Sequence, residues 1–379
     1  MKSILIVGAT GAQGGAIIRH LASTGQYNIT AFTRSATSPK AVELAALPNV
    51  KIAVSDAATG YDTKAFLAAA SDVDYVLVNT DGFALGEQAE IYWGIRLFEL
   101  SARAGVKHFI YSGLDSVGPK TNYDPDLYVG HYQGKARIQD WIHAQKDVKM
   151  QWTIIRSGPY MELLSAVMSP AVEQDGSLIF QLPLDNGSIP FIHLDDFGKY
   201  VDWALRHPEE SNRLDFGIAT VLATGDQISK ASEKVSGKTS RFINVPIDIW
   251  NSVAWKTLPQ GSDTKIGFQS VKDDSGLLTT YGENFKNWWN LYKASPSDNS
   301  GLIQRDFEFL DRIVPDRVKS VEEWMKKVQY TGAKQDLLNL EAHTNRRVLS
   351  LPERANDLPK PKQRKGPSDM DYFINKIPS

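Results

Sequence analysis

The 379-residue sequence contains no cysteine. That excludes disulfides, thiol nucleophiles and thiolate zinc sites, and it fits a reducing compartment. No apolar run approaches the roughly 18 residues a membrane helix needs, and the first residues read as a strand rather than a secretory leader. The expectation is a soluble protein of the cytoplasm, with the nucleus as a second location. An excess of one charge is also missing. Lys and Arg number 42 against 44 Asp and Glu, a net charge of −2, so binding of a polyanion by the whole surface is not expected. No second histidine lies at ligand spacing from His193 and no internal repeat is evident, so neither a metal site nor a solenoid is expected.

What is present is an ordinary globular composition, 42% hydrophobic and 23% charged. At this length one large α/β domain with a smaller lobe or extensions is accommodated. The most specific segment comes first. Ile4 to Val7 form a continuous apolar run, as in a parallel strand buried on both faces, and lead into Gly8-x-x-Gly11-x-x-Gly14 and an amphipathic helix over Ala16–Ser23. This order predicts a dinucleotide phosphate site. Gly8 makes the sharp turn, Gly11 admits a pyrophosphate, and Gly14 or Gly15 lets the helix sit close to the strand. Thr10, Ala12 and Gln13 share that loop, where free helix-start amides and the positive end of the dipole face the phosphates.

A second strand, Tyr27–Thr33, ends in Arg34-Ser35. An NAD site places Asp or Glu here, about 20 residues beyond the glycines, to bond the ribose 2′-hydroxyl. Arg34 instead suits a 2′-phosphate, with Ser35 as a hydroxyl donor and Lys40 as a second cation in loop reach. The expected cofactor is NADP(H) rather than NAD(H).

Strand and helix signals then alternate: helix Pro39–Ala46, strand Val50–Val54, helix Thr63–Ala70, strand Tyr75–Asn79, a long helix around Leu85–Ala104, strand His108–Ser112, helix Gly134–Ala144 and strand Gln151–Ile155. The expected fold is α/β, a doubly wound parallel Rossmann sheet over residues 1–157 with a smaller substrate lobe over 158–330. Ligands bind outside the carboxyl ends of such strands, which places Asp56, Asn79 and Thr80 at the cofactor. Asp56 and Thr80 serve equally well as helix caps. The lobe carries short strand candidates at Ser188–Ile192 and Phe242–Val245 and aromatic helices near Asn284–Tyr292 and Val321–Val328. His193-Leu194-Asp195-Asp196 predicts a helix start with an Asp as its cap. Residues 345–379 are rich in proline and basic residues and predict an extended or disordered arm. Within it, Lys360 to Lys365 reads either as a solvated tail or as a nuclear-import or polyanion patch.

With Gly8–Gly15, Arg34, Asn79-Thr80, Tyr111-Ser112-Gly113-Leu114 and Ile154-Ile155-Arg156-Ser157-Gly158-Pro159-Tyr160 in view, the chain resembles the NmrA-like branch of the atypical short-chain dehydrogenases. The similarity runs over about residues 1–330, to a closing segment at Ser320-Val321-Glu322-Glu323-Trp324. The resemblance implies NADP(H) binding. Pro159 and Tyr160 are expected beside the cofactor, and Tyr160 and Met161 either line the substrate pocket or pack as core at the lobe interface. Such proteins divide into NADP(H)-sensing regulators of partners such as transcription factors and true reductases, including the isoflavone-reductase group.

The wider superfamily carries Tyr-x-x-x-Lys on one helix, where i and i+4 share a face and the lysine makes the phenol a better acid. Here Lys135 is kept, His131 stands at the tyrosine position and Tyr132 is at i−3. Two mechanisms follow. In one, Lys135 is the acid or base, assisted by His131 or Tyr132, with the ordinary histidine pKa of about 6.5 suiting a proton donor. In the other, Lys135 only fixes cofactor and the pocket reports its redox state to a protein partner. No helix-turn-helix, zinc or basic-zipper pattern suggests direct nucleic-acid binding. The expectation is an NADPH-dependent reductase of a small carbonyl, enone or imine, with the sensor as alternative.

Overall fold

In a computed structural model, residues 1–55, 57, 60–254, 261–267 and 279–335 are described. Asp56 and the tail from residue 345 lie outside them. Strands β1 (Lys2–Val7), β2 (Tyr27–Thr33), β3 (Val50–Val54), β4 (Tyr75–Val78), β5 (His108–Gly113) and β6 (Gln151–Arg156) alternate with helices. These helices are α1 (Ala12–Thr24), α2 (Pro39–Ala45), α3 (Thr63–Ser71), α4 (Gly82–Leu85), α5 (Glu87–Arg103) and α6 (Gly130–His143). All pairings in the sheet are parallel, and a seventh strand, Leu214–Gly217, extends it beyond β6. The spatial order is seventh strand, β6, β5, β4, β1, β2, β3, so the direction of winding reverses between β1 and β4. A doubly wound sheet opens its ligand crevice at that reversal.

Period-two side-chain alternation sorts the apolar runs into two cores. Ile4 and Ile6 of β1 with Ile29 and Ala31 of β2 pack on Ile17, Ile18 and Leu21 of α1. Leu5 and Val7 turn the other way, with Val76, Phe109 and Ile154, onto Phe66 of α3, Leu97 of α5 and Ile138 of α6. Every residue from Ile4 to Val7 is fully buried, as expected for a strand covered on both faces.

The long helix expected around Leu85–Ala104 is α5, Glu87–Arg103, preceded by the separate four-residue α4 that ends at Leu85. Gly86, at φ +75°, breaks the run and starts α5 afresh. Helix α1 begins at Ala12 and α6 at Gly130, each four residues before the expected start, so that Gly14, Gly15 and Gly134 lie inside the helices.

Residues 171–327 supply β7 (Ala171–Val172), β8 (Leu178–Leu182), β9 (Ile189–Phe191), β10 (Leu214–Gly217, the seventh sheet strand), β11 (Val221–Ala223) and β12 (Ser240–Asn244). Between and after them lie α7 (Leu194–Arg206), α8 (Pro208–Ser211), α9 (Gly225–Ser236), α10 (Ile247–Ala254), α11 (Tyr281–Lys293), α12 (Phe307–Ile313) and α13 (Val321–Lys327). Their apolar faces form a third core around Phe180, Phe191, Trp289, Tyr292 and Trp324. Not all of this stretch belongs to the lobe. β10 completes the main sheet, and α7 packs Phe197, Val201 and Leu205 beside α1.

Two expectations in this region are corrected. The cap of α7 is His193, with no side-chain cap bond; the first-turn amide of Leu194 is taken instead by the Glu162 carboxylate at 3.2 Å. Asp196, expected as a candidate cap, lies inside the helix and binds Lys199 at 3.0 Å and the Val318 amide at 2.8 Å. A buried ion chain fastens the late segment to the sheet. Arg305, its side chain fully enclosed, grips Asp115 with both nitrogens at 2.8 and 2.9 Å, and Asp115 also holds Arg156 at 2.9 Å.

Candidate functional site

The winding reversal brings Gly8 against Asn79. Gly8 has φ +78°, which only glycine adopts without strain, and a β-carbon there would stand 2.5 Å from the Asn79 carbonyl oxygen. The Gly11 amide closes the turn on the Gly8 carbonyl at 3.1 Å, and Gly11 then starts α1 with no side-chain cap. The first-turn amides of Ala12, Gln13 and Gly14 therefore lack a capping side chain of their own, as an anion-binding helix start requires. Of the two candidate glycines for close packing, the geometry selects Gly14. A β-carbon on Gly14 would collide with the Gly8 carbonyl, whereas one on Gly15 would meet the far end of Arg19 at 3.4 Å and the Ala9 carbonyl oxygen at 3.8 Å, ordinary contact distances.

The other residues expected at the cofactor spread around this turn. Thr10 approaches Thr33 at 3.5 Å between hydroxyl oxygens. Buried Gln13 donates to Ser112 Oγ at 2.6 Å and accepts from the Tyr160 hydroxyl at 3.2 Å, so it ties the turn to the ends of β5 and β6. Arg34 is exposed at the end of β2 and forms no hydrogen bond or ion pair among the described residues. Ser35 turns back on Thr37, with 3.2 Å between hydroxyls, and Lys40 on α2 pairs with Glu43 at 3.0 Å. Pro159 accepts from the Ile192 amide at 2.9 Å, which fixes the strand-like run through Tyr160. Met161 is fully buried in the lobe core and Tyr160 is half-buried.

At the end of β4 the structure assembles a compact polar cluster around Lys135, which is only 8% exposed. Its Nζ donates to the Thr80 carbonyl at 2.9 Å and to Thr80 Oγ1 at 3.0 Å, and pairs with Glu90 Oε1 at 3.1 Å. Thr80 Oγ1 in turn donates to Glu90 Oε1 at 2.7 Å. The ammonium lies 5.6 Å from the centre of the Tyr111 ring, within cation–π range. Burial pushes the Glu90 carboxyl above its usual range, opposed by the neighbouring ammonium and the Thr80 hydroxyl. Burial likewise raises the Tyr111 phenol far above its ordinary value, with the Glu90 charge adding to it.

Sequence reasoning missed Glu90. A single glutamate in the first turn of a mixed helix reads as a dipole-compensating surface residue. The one available signal was Gly134 beside Lys135. A β-carbon there would sit 2.8 Å from Glu90 Oε2, so the glycine marks a close approach between α6 and α5.

His131 and Tyr132 diverge from this cluster. The His131 ring meets Asn284 through Nδ1, at 3.1 Å to Oδ1 and 2.9 Å to Nδ2, and lies 4.7 Å from the Phe83 ring centre. The expectation of a histidine poised near 6.5 is corrected: burial pulls it down to about 4, partly offset by Asn284, and the Lys135 charge lowers it further. It is neutral at neutral pH. Tyr132 is enclosed in the lobe core, its hydroxyl 2.6 Å from that of Tyr292, and burial raises its phenol well above the ordinary range.

The model of the family described as NmrA-like matches residues 1–283. The NmrA-like family domain-containing oxidoreductase hkm9 of Aspergillus hancockii is 28% identical over 318 residues, covering 79% of this chain and 92% of its own. FrzB of Cladobotryum sp, also described as an NmrA-like oxidoreductase, is 25% identical over 295 residues, covering 72% of this chain and 84% of its own. Among solved structures, NmrA, a negative transcriptional regulator in complex with NADP, superposes with a TM-score of 0.65 at 20% identity, over 91% of this chain and 97% of that one. The NADPH-dependent quinone oxidoreductase QOR2 of Escherichia coli, complexed with NADPH, gives 0.60 at 21% identity over 86% and 99%. Seven parallel strands wound about the Gly8–Asn79 reversal and a family match over three quarters of the sequence lead to one conclusion: the chain belongs to the NmrA-like family.

Proposed function

We propose that this chain binds NADP(H) and reduces a small organic carbonyl, enone or imine. The glycine turn supports the cofactor: Gly8 and Gly14 bring backbone to backbone, and the first turn of α1 presents uncapped amides where a pyrophosphate fits. Arg34, exposed at the end of β2 and without an ion pair among the described residues, suits a 2′-phosphate, with Ser35 and Lys40 in the following loop and helix. Relatives described as oxidoreductases and neighbours solved with NADP or NADPH support the same reading. When bound, the cofactor supplies a hydride.

The observation that carries the reductase reading is the Lys135 ammonium, held almost fully buried on Thr80 at the carboxyl end of β4, next to the Gly8–Asn79 contact. Lys135 holds the proton at Nζ. His131, neutral at neutral pH, orients through Asn284 rather than donating, and the Tyr132 hydroxyl is committed to Tyr292. Tyr160, half-buried and bonded to Gln13, bounds the substrate side.

One observation favours a second reading, an NADP(H)-responsive regulator acting on a protein partner. The Nζ has three acceptors within the protein, at 2.9, 3.0 and 3.1 Å, so its proton is already shared internally. Calorimetric titration with NADPH, NADP⁺ and NADH, followed by a carbonyl, quinone and imine panel in the same buffer, separates the two. Turnover that disappears in Lys135→Ala beyond any loss of cofactor affinity supports the reductase. Tight binding without turnover on any panel member overturns it in favour of the regulator.

A further inference from the structure

Glu90 belongs to no sequence motif, yet its carboxylate is wholly enclosed. Oε1 is shared by Lys135 and Thr80, while Oε2 is buried with no hydrogen-bond partner among the described residues. Two glycines make room for it. Any β-carbon on Gly82 would collide with Oε2, and one on Gly134 would stand 2.8 Å from Oε2 and 3.6 Å from Glu87 Cα. Gly134 sits within α6, where glycine costs about 1 kcal/mol of helix stability relative to alanine. An apolar side chain of similar volume on α5 would fill the same space with no orphan oxygen and no buried charge pair, which is often neutral or stabilising. Packing therefore does not account for a carboxylate here, and its contact with Lys135 does.

A lysine side chain is a flexible stem carrying a compact charge. Without Glu90 the ammonium would keep only its two neutral acceptors on Thr80, and the charge that holds it against them would be lost. We propose that Glu90 is a positioning residue for Lys135, holding the ammonium at the end of β4 so that its place and charge are set before any ligand arrives. The functional consequence rests on the reductase reading, whereas the positioning itself is measurable without turnover.

The test compares wild type with Glu90→Gln, which keeps the shape and removes the charge, and Glu90→Asp, which keeps the charge and withdraws it. Lysine acylation by acetic anhydride, read by peptide mass spectrometry, reports how freely Lys135 reacts, with exposed Lys64 as internal control. In Glu90→Gln, Lys135 labelling is expected to rise about 10- to 100-fold at constant Lys64 labelling, and kcat for NADPH oxidation to fall by a similar factor with KM within about threefold. Glu90→Asp restores part of both. Wild-type labelling of Lys135 in Glu90→Gln overturns the proposal. If wild type oxidises NADPH with no panel member, the reductase reading fails, and the labelling alone decides on Glu90. If Glu90→Gln does not fold, the same labelling is read in Glu90→Asp, where a wild-type rate overturns the proposal and a raised rate supports it.

Discussion

Gly14 packs on the carbonyl of Gly8 so closely that no β-carbon fits between them, while its neighbour Gly15 has room for one at ordinary contact distance from Arg19 and the Ala9 carbonyl. Gly14→Ala is therefore expected to lose about 1–3 kcal/mol of stability by overpacking and to lose NADPH affinity with it. Gly15→Ala is expected to be neutral or stabilised by up to about 1 kcal/mol, because alanine is the better helix former. Urea unfolding and calorimetry on the two variants check this, and equal behaviour would remove the close-approach role from Gly14.

On the proposed reading, Arg34 carries the choice of cofactor. With no ion pair among the described residues, its guanidinium is placed to meet a 2′-phosphate. Arg34→Asp should weaken NADPH by about 10- to 100-fold and NADH by less than about threefold, since a charge-assisted bidentate contact is lost only with the phosphorylated ribose. Titrations at one ionic strength measure both, and a parallel loss for the two nucleotides would show that Arg34 does not read the 2′-position.

Removing the cation from the buried pair has a pH signature. Lys135→Met strands the Glu90 carboxylate, and breaking one side of such a pair costs about 3–5 kcal/mol. Glu90 already has a folded-state pKa raised above its ordinary 4.5, so above that pH the folded state binds more protons than the unfolded one. Stability then falls as pH rises, and more steeply once Lys135 is gone. The variant should be closer to wild type at pH 5 than at pH 8 in thermal unfolding. The opposite order would place the Glu90 charge elsewhere.

His131 has the opposite sign. Its folded value of about 4 lies below the ordinary 6.5, so between those pH values the unfolded chain binds the extra proton and stability drops as pH falls. His108, fully buried on Thr153 at 2.7 Å and also pulled down to about 4, adds to the same window. His131→Gln should make the acid slope shallower by up to about 1.4 kcal/mol per pH unit, the value of one proton. The measurement is unfolding free energy at several pH values from 4 to 7, and an unchanged slope would mean that His131 is free to ionise in the folded state.

The sequence was most legible where one physical rule acted alone. β2 and β3 have the expected bounds because alternation and flanking turns agree, and the glycine turn was readable because no other residue serves there. Helix starts were missed at α1 and α6, where Gly14, Gly15, Gly130 and Gly134 signal turns locally but meet close neighbours in the fold. β10 is too short to stand out from loop, and only pairing with β6 makes it a strand. In the site, Lys135 was found by its spacing, whereas Glu90 was hidden because its burial comes from α6 lying across α5, a contact 45 residues away in sequence that no local pattern encodes. The shift at His131 was invisible for the same reason, since Asn284 and Phe83 reach it from two other helices.

The interleaving of the sheet governs how the chain is built during synthesis. When residue 157 leaves the ribosome, β1 to β6 are available, but the outer edge of β6 has no partner and the outer face of α1 is bare. Both wait for α7 and β10, within residues 194–217, to emerge. Until then the nascent sheet exposes an unpaired edge beside Trp152, Ile154 and Ile155, the kind of surface that aggregates or recruits chaperones. The main sheet is thus completed only when residues 194–217 join it, and a fragment ending at the first six strands is expected to expose that edge and the bare face of α1.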